Sequence, residues 1–180
     1  MGNLPEMSVG HLGIDVINVD KMVEFYTDVL GFKVTDRGRA GGGKGPELVF
    51  FSRNPEEHHQ IVMAATRSDG QRTTINQISF RVNNFAEVRQ VYNKVVESGV
   101  NGIEPVDHGS ALSVYFPDPE GNRIEVYVAT PWYVAQPQRE LIDFNKSDEE
   151  ILKACEQKCY ADPTYQPMEE WKREFDESNF

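Results

Sequence analysis

Two short stretches decide the fold, HLGIDV at residues 11–16 and QISFRV at residues 77–82. They align at an offset of 66 residues, and the same offset places Tyr26 on Tyr92. Self-similarity at a fixed offset is the signature of an internal repeat. The sequence therefore predicts that its first 130 residues hold two related modules.

Within each stretch, apolar and polar residues alternate, as expected of a strand with one buried face. The polar face carries His11 and Asp15 in the first copy, and Gln77 and Arg81 in the second. An amphipathic helix follows each strand and ends near a glycine. Three further strands are then predicted in each copy, near 32–36, 47–53 and 59–65 in the first, and near 100–104, 110–116 and 123–129 in the second. Each module is predicted to be βαβββ.

The predicted domain covers residues 1–130, with its modules at about 8–66 and 74–130. Residues 131–180 are predicted to be a helical C-terminal extension. Ser147 is followed three residues later by a glutamate, which is the spacing of a helix capping box. We expect the helices of the extension to dock on the repeated part of the chain or on another subunit.

The charge of the chain excludes some classes of partner. Eighteen Lys and Arg residues stand against 29 Asp and Glu, a formal net charge of -11, so nucleic acid is not an expected partner. Residues 140–180 hold 12 acidic and 5 basic residues, so most of this charge lies in the extension. A solvated helical tail and an acidic docking arm both fit that pattern.

The sequence also predicts a cellular location. No apolar run approaches the roughly 18 residues of a membrane span, and the first ten residues lack the features of a signal peptide. Cys155 and Cys159 are the only cysteines, which argues against a disulfide framework. We expect a cytoplasmic protein that does not contact a membrane.

Several residues have side chains suited to a metal or to proton transfer. Glu125 lies in the alternating stretch IEVYV, so its carboxylate shares a face with Tyr127. A carboxylate within a sheet needs a partner, and a metal is the usual one when imidazoles are near. The four histidines are His11, His58, His59 and His108.

Three charged residues near the DPEG turn are expected to be turn and surface residues, Asp118, Glu120 and Arg123.

Together these motifs resemble the vicinal oxygen chelate superfamily, which includes glyoxalase I, bleomycin-resistance proteins and extradiol catechol dioxygenases. The resemblance covers about residues 8–130 and rests on His11, FYTDVLGF, HHQIVMA, NQISFRV and DPEGNRIEVYV. It implies an α+β fold in which two paired βαβββ modules form a curved mixed sheet around a metal cavity. The metal ligands would come from the first and last strands of the modules.

Within the superfamily the sequence is most similar to extradiol dioxygenases. That likeness implies a divalent metal, Fe(II), with His11 and Glu125 as ligands, while Gln77 stands where the second metal histidine is usual. It also implies catalytic roles for His59, Tyr115 and His108.

Two points about this site stay open. His59 could complete the metal site with His11 and Glu125 and leave Gln77 unused. Strict alternation from Ile61 would place His58 rather than His59 on the cavity face.

Three functions are compatible with this pattern. The first is extradiol cleavage of a small catecholic aromatic by dioxygen. The second is a glyoxalase-like, metal-dependent isomerase or thiol transferase. The third is a non-catalytic protein that binds an aromatic or drug-like ligand. We also expect a homo-oligomer.

Overall fold

The chain folds as an α+β protein in two units, each built on one mixed sheet. The first unit ends at Thr74 and also includes Asp118–Glu120, and the second comprises Ile75–Pro117 and the chain from Gly121 onward. The computed structural model describes residues 8–177. Most of the N-terminal segment that is expected to lack a signal peptide lies outside the described residues.

The first unit has the predicted βαβββ order, with one helical turn inserted in a hairpin. Strand β1 is parallel to β4, and β3 is antiparallel to both β4 and β2, which gives the sheet order β1-β4-β3-β2. Its elements are β1 (Leu12–Val16), α1 (Val19–Asp28), β2 (Lys33–Arg39), α2 (Ala40–Gly43), β3 (Glu47–Ser52) and β4 (Ile61–Ala65).

The second unit repeats this arrangement and adds the C-terminal extension. Strand β5 is parallel to β8, and the sheet order is β10-β6-β7-β8-β5, while β9 and β11 form a separate pair. Its module contains β5 (Ile78–Arg81), α3 (Phe85–Glu97), β6 (Glu104–Asp107), β7 (Ala111–Pro117) and β8 (Arg123–Ala129). The extension contains β9 (Trp132–Tyr133), β10 (Glu140–Leu141), α4 (Asp148–Ala161), β11 (Gln166–Pro167) and α5 (Met168–Glu177). The two matching strand orders confirm the repeat.

One strand lies later in the chain than the sequence predicts. The expected strand at 100–104 is observed as β6 at Glu104–Asp107. Gly99 and Gly102 adopt positive φ angles of 72° and 77°. This backbone conformation is incompatible with an extended strand, so pairing begins only after the second glycine.

Local signals in the sequence explain where the helices begin. The side chains of Asn18 and Asn84 accept hydrogen bonds from backbone N–H groups in the first turns of α1 and α3. Ser147 and Glu150 form the predicted capping box of α4.

The largest fully buried side chains include Met22, Tyr26, Phe51 and Met63 in the first unit, and Val88, Val95, Leu112 and Ile124 in the second.

The extension packs within the second unit. Arg89 of α3 donates to the carbonyls of Phe144 and Lys146, at 2.7 Å each, and forms an ion pair with Asp148 at the start of α4. Helix α4 buries Ile151, Cys155 and Cys159, and both cysteines are free thiols. Among residues 8–177, no helix is both long and apolar enough to cross a membrane.

The prediction that Asp118 and Glu120 are surface residues is wrong. Asp118 is buried and accepts a hydrogen bond from the Tyr26 hydroxyl. The Glu120 carboxylate, whose side chain is 5% exposed, accepts hydrogen bonds from backbone N–H groups just before α1 and pairs with Arg67. Unpaired N–H groups at the beginning of a helix attract a carboxylate, and this attraction draws the turn inward.

Candidate metal and catalytic site

Glu125 is the centre of a polar network on the second sheet. It lies directly opposite Tyr115 on β7 and Ser79 on β5, and it is only 7% exposed. Its Oε1 accepts hydrogen bonds from the Ser113 hydroxyl at 2.8 Å and the Tyr115 hydroxyl at 2.5 Å. Its Oε2 accepts from the Ser79 hydroxyl at 2.6 Å and the Gln77 amide nitrogen at 3.1 Å. Strand alternation and register bring these side chains to one face.

All four donors to Glu125 are neutral groups. Hydrogen bonds from neutral donors solvate a carboxylate but leave its negative charge in place, and a buried charge without an opposite charge is costly. The surroundings of this carboxylate therefore favour a cation. A carboxylate and an amide oxygen are both accepted ligands of divalent metals, so the chemistry of Glu125 and Gln77 fits such an ion.

The Gln77 amide has a defined orientation. Its nitrogen lies 3.1 Å from Glu125 Oε2 and 3.0 Å from the Ser79 hydroxyl oxygen. The carboxylate can only accept, and Ser79 already donates to it, so the amino group of Gln77 must face both. The amide oxygen, which is the only metal-binding atom of this side chain, is directed away from the carboxylate.

Tyr115 connects Glu125 to His108. Its hydroxyl oxygen lies 2.5 Å from Glu125 Oε1 and 3.0 Å from His108 Nε2, and its single hydrogen is donated to only one of these two atoms at a time. Burial and the hydrogen bond to Glu125 raise the pKa of Tyr115, an effect that the nearby Arg123 guanidinium only partly offsets. The hydroxyl therefore stays protonated and available as a hydrogen-bond donor at neutral pH.

The tautomer of His108 follows from its other partner. Nδ1 of the ring lies 2.5 Å from the main-chain carbonyl oxygen of Gln138. A carbonyl oxygen only accepts, so Nδ1 carries a hydrogen and Nε2 faces Tyr115. This contact could not be predicted from the sequence, because every residue has a backbone carbonyl.

The first unit brings His11 and His59 together. His11 precedes β1 and His59 lies two residues before β4, and these two strands run parallel in register. The centroids of the two imidazole rings are 4.3 Å apart. The ring of Phe50 on β3 packs edge-on against His59 at 5.1 Å.

His58 and His59 differ in their surroundings. His58 is exposed and His59 is half-buried, and their Nδ1 atoms lie 3.0 Å apart. Burial, followed by the positive charges available to His11 and His58, lowers the pKa of His59, and Glu57 opposes the shift. His59 is therefore neutral at physiological pH and able to accept a proton.

The predicted site residues thus form two groups, one in each unit. Gln77, Tyr115, His108 and Glu125 form a continuous hydrogen-bonded network in the second unit. His11 and His59 form a contacting pair in the first unit. Sequence reasoning missed Ser79 and Ser113, although Ser79 shares the polar face of its strand with Gln77 and could have been found by alternation.

The fold agrees with the comparison to known families. Residues 8–126 match the Glyoxalase/Bleomycin resistance protein/Dioxygenase superfamily. The chain belongs to this superfamily, which confirms the resemblance to vicinal oxygen chelate proteins. The structure contains the two βαβββ modules that the resemblance to this superfamily implies.

Two curated relatives are dioxygenases. Biphenyl-2,3-diol 1,2-dioxygenase 3 of Rhodococcus globerulus is 26% identical over 68% of this chain and 65% of its own length. Catechol-2,3-dioxygenase of Bacillus subtilis (strain 168) is 26% identical over 73% of this chain and 45% of its own length. The chain therefore spans less than two thirds of either relative.

A solved structure of the same fold has a different role. It is the genomically encoded fosfomycin resistance protein FosX from Listeria monocytogenes, in a complex with Mn(II) and sulfate. The TM-score is 0.54 and the identity 20%, over 71% of this chain and 95% of that one. At this identity the likeness shows the fold alone.

Proposed function

We propose that this chain is a metal-dependent dioxygenase of the extradiol type, which opens the ring of a small catecholic aromatic. His11, Gln77 and Glu125 would hold the metal, Fe(II) in this proposal. The observation that carries the proposal is the buried Glu125 carboxylate, which has only neutral donors and is joined through Tyr115 to His108.

Gln77 is the preferred third ligand. Among the residues that the structure describes, no three His, Cys, Asp or Glu side chains are grouped so that they could hold a metal ion. Gln77 is preferred over His59 because its side chain already lies against Glu125 within the same unit, with the amide nitrogen 3.1 Å from Oε2. Gln77 would then present its amide oxygen in place of the amino group that now faces Glu125.

The remaining side chains would position the substrate and move protons. A bound divalent metal supplies a Lewis acid for the two vicinal substrate oxygens and an electron source for dioxygen. Tyr115, protonated and already aligned by Glu125, would donate a hydrogen bond to a substrate oxygen. His59 is neutral and half-buried, so its free ring nitrogen would accept a proton from the catechol.

The two dioxygenase relatives support this reaction class, since each is named as a dioxygenase of an aromatic diol.

A second function is favoured by one observation, the amide at Gln77. With a glutamine and a glutamate the ligand set is richer in oxygen, which suits Mn(II) better than a set with two imidazoles. The second candidate function is therefore a reaction on a small electrophile, either its isomerisation or the addition of a thiol to it.

The decisive experiment measures metal content and oxygen consumption in the same preparation. Protein purified without added metal is analysed for metals, loaded anaerobically with Fe(II), titrated with mono- and polycyclic catechols, and then mixed with air. We expect iron to be retained and one oxygen molecule consumed per ring opened. Glu125→Gln, which removes the charge but keeps the shape, should lose the metal.

Three outcomes would redirect the interpretation. Full metal occupancy in both Glu125→Gln and His11→Ala would exclude the proposed ligands. A ferrous protein that consumes no oxygen with any catechol would exclude the dioxygenase. Tight catechol binding by a metal-free protein without turnover would identify a non-catalytic binding protein.

A further inference from the structure

The C-terminal extension makes two polar contacts with His108, one with its ring and one with its backbone. The ring Nδ1 donates to the carbonyl of Gln138, and the Gln136 side-chain nitrogen donates to the carbonyl of His108 itself at 2.8 Å. The family match ends at residue 126, so these contacts come from chain that lies beyond it. The orientation of a predicted catalytic ring therefore depends on residues outside the repeat.

The Gln136 side chain links the backbone of His108 to the backbone of Gln138. While its amino group bonds to His108, its Oε1 accepts a hydrogen bond from the backbone N–H of Gln138 at 3.0 Å. Gln138 is anchored a second time, because its own side-chain nitrogen donates to Asp162 at 3.1 Å and to the Ala135 carbonyl at 3.3 Å. These bonds fix the direction in which the Gln138 carbonyl points.

The residues on either side of His108 are both held in place, Asp107 by α4 and Gly109 by Thr130. Asp107 accepts from the Cys155 thiol at 3.3 Å, and its Oδ1 lies 2.7 Å from the Lys158 ammonium nitrogen. The Gly109 carbonyl accepts from the Thr130 hydroxyl at 2.6 Å. With its neighbours fixed, His108 retains rotation of its ring and choice of tautomer as its main freedoms.

We propose that Gln136 is a positioning residue that acts through Gln138 on His108. By holding the Gln138 carbonyl against Nδ1, it keeps the hydrogen of the neutral ring on Nδ1 and leaves Nε2 as an acceptor that competes with Glu125 for the hydrogen of the Tyr115 hydroxyl. This inference rests on the proposed function only in that His108 and Tyr115 belong to the catalytic site. In the absence of such a carbonyl, both neutral tautomers of an imidazole are available.

Gln136 is suited to a clean test because its side chain is exposed. Its replacement removes hydrogen bonds without leaving a cavity in the core. Gln136→Met keeps the length of the side chain and removes both polar atoms. Gln138→Met removes the second anchor but leaves the carbonyl that contacts His108. Gln166→Met makes the same chemical change elsewhere in the extension, where the amide contacts the exposed Glu174, and is the matched control.

The experiment records ¹⁵N spectra of the histidine rings in the full-length protein at about pH 8, where an ordinary imidazole is neutral. The His108 signals are assigned from their loss in His108→Asn. In wild type we expect a protonated Nδ1 and an unprotonated Nε2. In Gln136→Met and Gln138→Met, the two nitrogen signals should move toward each other as the tautomers interconvert, with the other three histidines unchanged.

Turnover provides the second measurement. Gln136→Met should lower kcat by about 10- to 100-fold, the effect of a misplaced catalytic group, with a smaller change in KM. Gln166→Met should match wild type in both spectra and kinetics. An unprotonated Nδ1 in wild type, or unaltered His108 signals in the folded variants, would overturn the proposal. The spectra need neither metal nor catechol, so they remain decisive even if the protein proves not to be a dioxygenase.

Discussion

Tyr115 and Glu125 face each other directly across β7 and β8, and the tyrosine hydroxyl donates to the carboxylate at 2.5 Å. This pair joins a candidate metal ligand to a candidate proton-transfer residue within one sheet. Because cross-strand partners are fixed by the register, the relationship does not depend on loop conformation.

Tyr115→Phe separates hydrogen bonding from packing at this position. The phenyl ring fills the same space, but Glu125 loses one donor and His108 loses its partner. We expect metal to be retained and ring opening to slow by about 10²- to 10⁴-fold. Anaerobic catechol titration and oxygen uptake measure the two effects. An unchanged rate would remove Tyr115 from the mechanism.

His59 and His58 can be distinguished by matched changes to phenylalanine. His59→Phe should retain metal and catechol binding but slow ring opening by about 10²- to 10⁴-fold, since a proton acceptor is lost. His58→Phe should have a smaller effect because His58 is exposed and lies outside the pair with His11. Equal losses in both variants would contradict the assignment of His59 as the acid/base group.

Gln77→His tests whether the site was built for iron. Imidazole in place of the amide restores the ligand set with two histidines and one carboxylate that ferrous iron favours. For a dioxygenase, we expect tighter iron binding and undiminished oxygen uptake. Loss of metal from this variant, beside a metal-replete wild type, would point to the isomerase or thiol-transfer chemistry instead. Metal analysis after dialysis provides the measurement.

Glu120→Gln should destabilise the protein in a pH-dependent way. Burial alone would raise the pKa of Glu120, but the N–H groups of Asn18 and Ile17 and the Arg67 guanidinium lower it overall. A lowered pKa in the folded state means that the charged form stabilises the fold above the unfolded value of about 4.3, and that this contribution is lost as pH falls.

At neutral pH the expected deficit is about 1–3 kcal/mol, the cost of weakening a buried charged hydrogen-bond group. Urea unfolding of wild type and Glu120→Gln between neutral pH and about pH 3 checks this. The difference between the two proteins should shrink as the pH falls below about 4.3. A difference that stays constant with pH would show that the carboxylate charge is not what stabilises the turn.

Gly109→Ala should be one of the most damaging small substitutions in the chain. A Cβ there would clash with Val134 Cγ2, and the residue has a φ of 74°. We expect a loss of about 2–5 kcal/mol from overpacking and backbone strain together. Gly31→Ala has a similar φ of 69° but open space, so it should cost only about 1–2 kcal/mol. Equal losses in urea unfolding would show that the contact with Val134 relaxes freely.

Much of the fold could be predicted from the sequence. Strand alternation, helix periodicity and caps are local properties, and their recurrence at an offset of 66 residues predicted two βαβββ modules. The polar face that carries Gln77 and Glu125 could also be predicted, because alternation places side chains without knowledge of distant contacts.

Other features were decided only by tertiary structure. Glu120 was expected to be a turn and surface residue, but its side chain is a buried partner of the chain before α1. The four donors to Glu125 come from β7, from β5 and from the residue that precedes β5. The contact of Gln138 with His108 joins residues 30 apart through a backbone carbonyl. Periodicity determines which face of an element a side chain occupies. Hydrogen bonds between distant segments depend instead on how those segments pack. A contact made by a backbone carbonyl cannot be predicted from residue identity, because every residue has this group.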